Sequence, residues 1–120
     1  MKIVEIAFTC YPVADLPRAR RFYEDVLGLK QSRLFGTEDK GFVEYDIGAG
    51  TLAIGNGSSD WPPSPGGGSV GLEVDDFDAA IARLKASGCT FRLDPLETPV
   101  CHMAVVSDPD GNSVTIHRRK

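Results

Sequence analysis

The stretch Phe8-Thr-Cys-Tyr-Pro-Val-Ala-Asp15 introduces an apolar helical pattern that ends at Gly28. A second stretch, Ser69-Val-Gly-Leu-Glu-Val-Asp-Asp76, introduces a similar pattern that ends at Gly88. Each combines a strand, an acidic N-cap, an amphipathic helix and a terminal glycine, and short strands follow. A unit of about 60 residues is therefore used twice. Two such modules can enclose a cavity between them, and we expect the function to reside there.

The composition is that of an ordinary globular domain, since 42% of the 120 residues are hydrophobic and 25% are charged. The net charge is −4 and no basic face carries interleaved aromatic residues, which disfavours nucleic acid as a partner. No stretch approaches the roughly 20 apolar residues of a membrane span, and no signal peptide is recognisable, so we expect no membrane association. Cys10, Cys89 and Cys101 form no pattern, which is typical of reduced thiols in a cytoplasmic protein.

The first module has the predicted order βαβββ. Residues 3–10 are rich in β-branched and aromatic side chains and predict a strand. Asp15 is suited to cap the helix that follows, because its carboxylate can accept hydrogen bonds from the free amides of the first turn. Three short strands are then predicted over 29–35, 41–47 and 50–54, separated by glycine-containing turns.

The second module repeats this order after a linker. Residues 56–68 consist almost entirely of glycine, serine and proline, with one tryptophan, and separate module one (1–55) from module two (69–120) within a single domain. In module two we predict a strand at 69–74, a helix capped by Asp76, and strands around 90–93, 102–107 and 112–117. The Asp110-Gly111 pair predicts the turn of the last hairpin.

Three stretches resemble the glyoxalase, bleomycin-resistance and extradiol-dioxygenase superfamily, also called vicinal oxygen chelate proteins. They are Val13-Ala-Asp15 with Arg21-Phe-Tyr-Glu-Asp-Val-Leu-Gly-Leu29, Leu72-Glu-Val-Asp-Asp-Phe-Asp-Ala-Ala80, and Asp108-Pro-Asp-Gly-Asn112. The resemblance implies an α+β, glyoxalase-like fold, in which two βαβββ modules form curved mixed sheets around a cavity with their helices on the outer face. It also implies a homodimer. Because the superfamily includes lyases, isomerases, dioxygenases and non-catalytic drug-binding proteins, the fold alone does not define the function.

The resemblance further implies where a divalent metal ion would be bound. Histidine and glutamate ligands are expected at four positions, which in this chain hold Phe8, Ala53, Ser69 and Thr115. Phenylalanine and alanine have no donor atom, and hydroxyl groups are poor ligands for the transition metals that such proteins use. We therefore predict no metal at this site and no cofactor.

Several other polar residues leave alternatives open. A relocated metal site could use Cys10, Glu44, Asp46, Glu73, His102 or His117, and a lyase, isomerase or dioxygenase with substituted ligands such as His102, His117 and Glu73 is the main rival hypothesis. A metal-independent enzyme would use Glu73 or a histidine as general base. Strand alternation places Cys10, Glu73 and His117 on the cavity face, whereas the facing of His102 is not assigned. Trp61 either anchors the linker or covers a pocket mouth.

The favoured interpretation is a metal-free protein that binds a small molecule, similar in kind to the antibiotic-sequestering members of the superfamily. The ligand would be an antibiotic or a metabolite. No catalytic residue is assigned, and an enzymatic activity is left open. The predicted ligand-binding residues are Phe8, Cys10, Trp61, Ser69, Glu73, His102, Thr115 and His117.

Overall fold

The computed structural model describes all residues from 1 to 120, in two units, Met1–Pro63 and Ser64–Lys120. The boundary falls within the segment 56–68 that is predicted to be a linker. Each unit contains one helical segment and a four-stranded mixed sheet, in the order βαβββ. The α+β class and the repeated module are therefore confirmed.

The first unit has a sheet in the order β1-β4-β3-β2. Strand β1 runs parallel to β4, and the other pairs are antiparallel. The helix α1 is α-helical over Leu16–Arg20 and continues as a π-helix over Arg21–Val26. The strands are β1 (Thr9–Pro12), β2 (Arg33–Gly36), β3 (Gly41–Ile47) and β4 (Gly50–Gly55).

The ends of α1 follow from the sequence as predicted. The Asp15 carboxylate accepts a hydrogen bond from the Arg18 amide at 2.9 Å, which satisfies one of the free donors of the first turn. Beyond the helix, Gly28 has a φ of 77°, a left-handed conformation that glycine adopts without a steric penalty. Leu16 and Tyr23 are fully buried, so the apolar stripe of the helix faces the sheet.

The first strand is shorter than the sequence predicts, and the expectation of a strand over 3–10 is wrong at its beginning. Strand β1 starts at Thr9, and Ile3, Val4 and Ile6 are 77–83% exposed. The length of β1 is limited by its partner strand, β4. Thr9 pairs with Leu52, and β4 begins only two residues earlier, so the parallel ladder has no partner strand for residues before Ala7.

The second unit has the same topology, with the order β5-β8-β7-β6 and a parallel pair formed by β5 and β8. The Asp76 carboxylate accepts from the Ala79 amide at 3.0 Å and caps α2 as predicted. The elements are β5 (Ser69–Glu73), α2 (Phe77–Ala86), β6 (Phe91–Glu97), β7 (Cys101–Ser107) and β8 (Ser113–Arg119). Strand β6 continues past the predicted end at residue 93. It is an edge strand with an irregular register, where Pro95 is tolerated.

One face of each sheet packs against the helix of its own unit and forms the core. Alternation of buried residues identifies this face, which carries Val43, Tyr45, Leu52 and Ile54 in the first sheet and Ala104, Val106, Val114 and Ile116 in the second. We call the opposite surface the helix-free face of each sheet. Neither α1 nor α2 has the length and hydrophobicity that a membrane-spanning helix requires.

Candidate functional site

The helix-free face of the first sheet carries a row of four register partners. Cys10 pairs with Ala53, Ala53 pairs with Glu44, and Glu44 pairs with Arg33. Ala53, which occupies a position where the superfamily is expected to place a metal ligand, is fully buried in this row. Its methyl side chain offers no donor atom, so the face is apolar and inaccessible to solvent at Ala53.

At one end of this face, three aromatic residues form a cavity of about 330 Å³ that we call the aromatic cleft. Phe35 and Phe42 are cross-strand partners whose ring centroids are 6.4 Å apart, and Trp61 completes the lining. Phe8 meets Phe42 edge-to-face at 5.4 Å. Phe35 and Trp61 remain 54% and 46% exposed, so their rings are accessible to a ligand.

Glycines make room for these rings. Gly36, Gly41, Gly55 and Gly57 all line the aromatic cleft. Gly55 is the register partner of Phe42, and a Cβ atom at Gly55 would lie 3.0 Å from the Cδ2 atom of that ring. The Phe42 ring therefore lies directly over the backbone, at a position where a side chain would compete with it.

The other end of the face carries an ion-pair network. The Arg33 guanidinium binds the Glu44 carboxylate and also donates to Asp46 at 2.6 Å. Hydrogen bonds from Arg33 and then from Thr51 hold the pKa of Asp46 below its usual range. Glu44 and Asp46 are thus engaged by a cation of their own sheet, and a metal ion bound by them would have to displace the Arg33 guanidinium.

Cys10 lies on the same helix-free face and is partly buried. Burial raises the pKa of its thiol to about 11. A thiol with such a pKa stays protonated at neutral pH, and only the thiolate is a good nucleophile or metal ligand. Cys10 is therefore a small apolar residue of this face.

The helix-free face of the second sheet is polar, and its side chains bind one another. The Ser69 and Thr115 hydroxyls are 3.0 Å apart. Glu73 Oε1 is 2.6 Å from His117 Nδ1. Ser113 accepts a hydrogen bond from Arg92 at 2.6 Å. Two of these pairs join β5 to β8, and the third joins β8 to Arg92 of β6.

His102 does not lie with these residues. It shares the helix side of β7 with Ala104 and Val106, and its ring is 5.6 Å from that of Phe77, the first residue of α2. His117 projects from the opposite face of the same sheet. The structure therefore does not bring His102, His117 and Glu73 together, and a relocated metal site built from these three is excluded by geometry.

The inherited metal positions do not fit a metal ion either. The register pair Gly71–Thr115 in the second sheet corresponds to the pair Cys10–Ala53 in the first. Ser69 and Thr115 are therefore the equivalents of Phe8 and Ala53. The two hydroxyls are bound to each other, and the two apolar residues have no donor. Across the chain, no group of three or more His, Cys, Asp or Glu side chains is arranged to hold a metal ion.

The sequence-predicted site residues fall into separate groups. Phe8, Cys10 and Trp61 belong to the first unit, whereas Ser69, Glu73, Thr115 and His117 share one face of the second sheet. Sequence reasoning missed Phe35 and Phe42. The available signal was their position, since the two aromatics flank the turn between β2 and β3 and must therefore be cross-strand neighbours.

Comparisons with known proteins agree with this architecture. The sequence model of the "Glyoxalase/Bleomycin resistance protein/Dioxygenase superfamily" matches residues 3–116. A probable lactoylglutathione lyase of Vibrio parahaemolyticus is 26% identical over 125 residues, which cover 96% of this chain and 91% of that protein. A lactoylglutathione lyase of Haemophilus influenzae is 28% identical, covering 98% and 94%.

Among solved structures, TnmS3, an antibiotic-binding protein from Streptomyces sp. CB03234, superimposes with a TM-score of 0.82. It is 26% identical, and the match covers 100% of this chain and 99% of that protein. A glyoxalase/bleomycin resistance protein from the same organism has a TM-score of 0.75 and 28% identity, covering 93% of this chain and 98% of its own.

Proposed function

Because this chain belongs to the glyoxalase/bleomycin resistance protein/dioxygenase superfamily, we propose that it binds a small planar molecule without the metal ion expected at the superfamily's usual positions. The ligand is an antibiotic or a metabolite with an apolar ring system. The observation that carries this proposal is the aromatic cleft of Phe35, Phe42 and Trp61.

The cleft has the properties of a ligand site. Its volume of about 330 Å³ lies at the lower end of the range of small-molecule pockets. Phe35 and Trp61 present aromatic rings to the opening, and stacked or edge-to-face ring pairs contribute about 0.5–1.5 kcal/mol beyond the burial of their area. The similarity to an antibiotic-binding protein along the whole chain supports the same class of ligand.

The rival function is a metal-dependent lyase, isomerase or dioxygenase, which the relatives named lactoylglutathione lyase bring into consideration. The donor chemistry opposes it. Phe8 and Ala53 cannot coordinate, the Ser69 and Thr115 hydroxyls bind each other, and His102 lies on the other face of its sheet from His117. No step of a metal-assisted reaction can be assigned to these side chains.

Trp61, the only tryptophan of the chain, makes the proposal directly testable. Planar aromatic antibiotics and metabolites are titrated into the protein while tryptophan fluorescence is recorded, and isothermal calorimetry gives the stoichiometry. We expect saturable quenching at one ligand per chain, with the ligand recovered unchanged. Stoichiometric zinc, nickel, manganese or iron in the purified protein, together with turnover that is lost on chelation, would overturn the proposal.

We also propose that the protein acts as a cytoplasmic homodimer. Ile3, Val4 and Ile6 expose apolar side chains beside the strand β1, and such a segment gains stability when a second chain covers it. The three cysteines are free, as in a reducing compartment. Light scattering should give twice the chain mass, and serine substitutions at Ile3 and Ile6 should shift the equilibrium toward monomer. A wild-type monomer at micromolar concentration would refute the dimer.

A further inference from the structure

Glu73 and His117 form a pair that the aromatic cleft does not involve. Glu73 is the last residue of β5 and is the register partner of His117 in β8. One carboxylate oxygen, Oε1, is 2.6 Å from the imidazole Nδ1. The other, Oε2, accepts the Arg119 backbone N–H at 2.8 Å, and an Arg118 nitrogen lies 3.8 Å from it. Both oxygens of the carboxylate are therefore held in place.

This arrangement determines the tautomer of the imidazole. The Arg119 backbone N–H, and then the hydrogen bond with His117, hold the pKa of Glu73 below its ordinary value, so this group is a carboxylate at neutral pH. A carboxylate only accepts hydrogen bonds, so Nδ1 of His117 must carry the proton. In a neutral imidazole, Nε2 then has a free lone pair and is a hydrogen-bond acceptor.

The surroundings of His117 combine an apolar neighbour with polar and charged ones. His117 is partly exposed, and its register partner on β7 is Met103, which is apolar. Two residues earlier on β8, Thr115 pairs with the Ser69 hydroxyl at 3.0 Å. The charged groups around the pair are Glu73 itself on β5 and two arginines of β8: Arg118 approaches Glu73 to 3.8 Å, and Arg119 reaches it through its backbone N–H. The helix α2 lies on the opposite face of the sheet.

From this geometry we infer that Glu73 and His117 form a second ligand site, in which Nε2 of His117 accepts a hydrogen bond from an acidic hydroxyl group, a phenol or an enol. Glu73 is a positioning residue, because it fixes the tautomer and the ring orientation without touching the ligand. The site belongs to the second module and does not depend on the aromatic cleft. The experiments on this site can therefore fail without contradicting the proposed function of the aromatic cleft, and the reverse also holds.

The test uses the ring nitrogens themselves. Long-range ¹H–¹⁵N spectra of the full-length protein at about pH 8, where an ordinary imidazole is neutral, report the tautomer of each histidine. The chain has only two histidines, so His102→Gln assigns both signals, and His102 then serves as an internal control. We expect His117 as the Nδ1–H tautomer. An Nε2–H tautomer would overturn the inference.

Phenol and its methyl ether, anisole, are then compared as probes, since they differ in the hydroxyl proton. We expect phenol to shift the Nε2 signal of His117 and to bind roughly tenfold more tightly than anisole, the effect of one well-formed hydrogen bond. In Glu73→Gln the tautomer is no longer fixed, and this preference should fall several-fold. Glu97→Gln, which removes only an exposed ion pair with Lys120, should retain it. Equal affinity for both probes, an unchanged preference in Glu73→Gln, or a response confined to His102 would refute the site.

Discussion

The two sheets have the same topology but very different helix-free faces. At equivalent register positions, the first sheet places Phe42 opposite Gly55, and the second places Met103 opposite His117. In the first sheet, the missing side chain at position 55 lets the Phe42 ring lie over the backbone and opens an aromatic cleft. In the second, an imidazole fills the equivalent position and binds the carboxylate of Glu73.

This difference shows that, in a repeated module, the face that forms the core stays apolar while the opposite face is free to vary in its side chains. Each helix-side face has to bury apolar side chains against a helix, and both modules meet that demand with apolar residues at alternate positions of their strands. The helix-free faces carry no such requirement. One has become a surface of accessible rings, and the other a ladder of hydrogen-bonded polar pairs. Four substitutions test whether the two modules differ in this way.

The largest effect is expected at the hairpins that close the two modules. In the second, the buried Asp108 carboxylate accepts from the Asp110 amide at 2.9 Å and from the Asn112 amide and side chain at 2.8 and 2.7 Å. In the first, the turn between β3 and β4 contains Gly48, whose φ is 56°, and no buried carboxylate. Asp108→Ala should lower the free energy of unfolding by about 2–3 kcal/mol, because buried donors lose their acceptor. Chemical denaturation measures this.

Asp108→Asn is the matched variant for this hairpin, since it retains one acceptor oxygen and should lose clearly less stability. Equal stability of Asp108→Ala and the wild-type protein would mean that the turn does not depend on the buried carboxylate.

The next effect concerns ligand binding. Phe42→Ala removes the central ring of the aromatic cleft and should weaken binding of a planar aromatic ligand about tenfold, since stacking and burial at that ring are both lost. Trp61 fluorescence measures the affinity, and circular dichroism checks the fold. Met103→Ala, the equivalent change in the second sheet, should leave the affinity unchanged. A similar loss in both variants would contradict the assignment of the ligand to the first module.

A smaller effect is expected from Gly55→Ala. The added Cβ lies 3.0 Å from the Phe42 ring and must displace it, which should weaken binding a few-fold and cost about 1 kcal/mol of stability. Gly71→Ala is the control, because no atom lies within 4 Å of a Cβ at that position on the helix-free face of the second sheet. If Gly55→Ala binds as tightly as wild type, the cleft tolerates a shifted ring.

The smallest effect is the contribution of Glu24, in the π-helical part of α1, to acid sensitivity. Burial disfavours its charged form, but hydrogen bonds from Arg20 and Tyr45 outweigh burial and lower the pKa of Glu24 below its ordinary 4.5. The stabilisation is complete above pH 4.5 and is lost as the pH falls through the lower, folded-state pKa.

Glu24→Gln should therefore flatten the decline of unfolding free energy between about pH 5 and pH 3, by less than about 1 kcal/mol in total. Denaturation series across this range measure the slope. Glu97→Gln removes an exposed ion pair with Lys120 in the second module and should change the slope less. A larger change for Glu97→Gln would contradict the role assigned to Glu24.

Local sequence signals predicted the fold because each has a local physical cause. Asp15 and Asp76 cap helices that begin one residue later, and Gly28 and Gly88 adopt the left-handed conformation that ends them. The repeat predicted two modules of the same order, and the Asp110-Gly111 pair marked the last turn. The beginning of β1 was missed because strand length depends on the partner strand, which local pattern does not reveal.

The candidate site was only partly predictable. The residue types at Phe8, Ala53, Ser69 and Thr115 already opposed metal binding, since donor chemistry is a property of the side chain alone. The pairing of Phe35 with Phe42 and of Glu73 with His117 required the strand register. The facing of His102 also required the sheet, because a histidine at the start of a strand projects to either side with equal ease.

The amino-acid sequence alone determined the repeated βαβββ modules, their caps and turns, and the lack of good metal ligands at four positions, because these depend on side-chain chemistry and on neighbours within a few residues. The tertiary structure decided which residues share a face, how Gly55 admits the Phe42 ring, and which carboxylate holds His117. Those properties depend on strand register, which joins residues far apart in the chain and changes face with a shift of one residue.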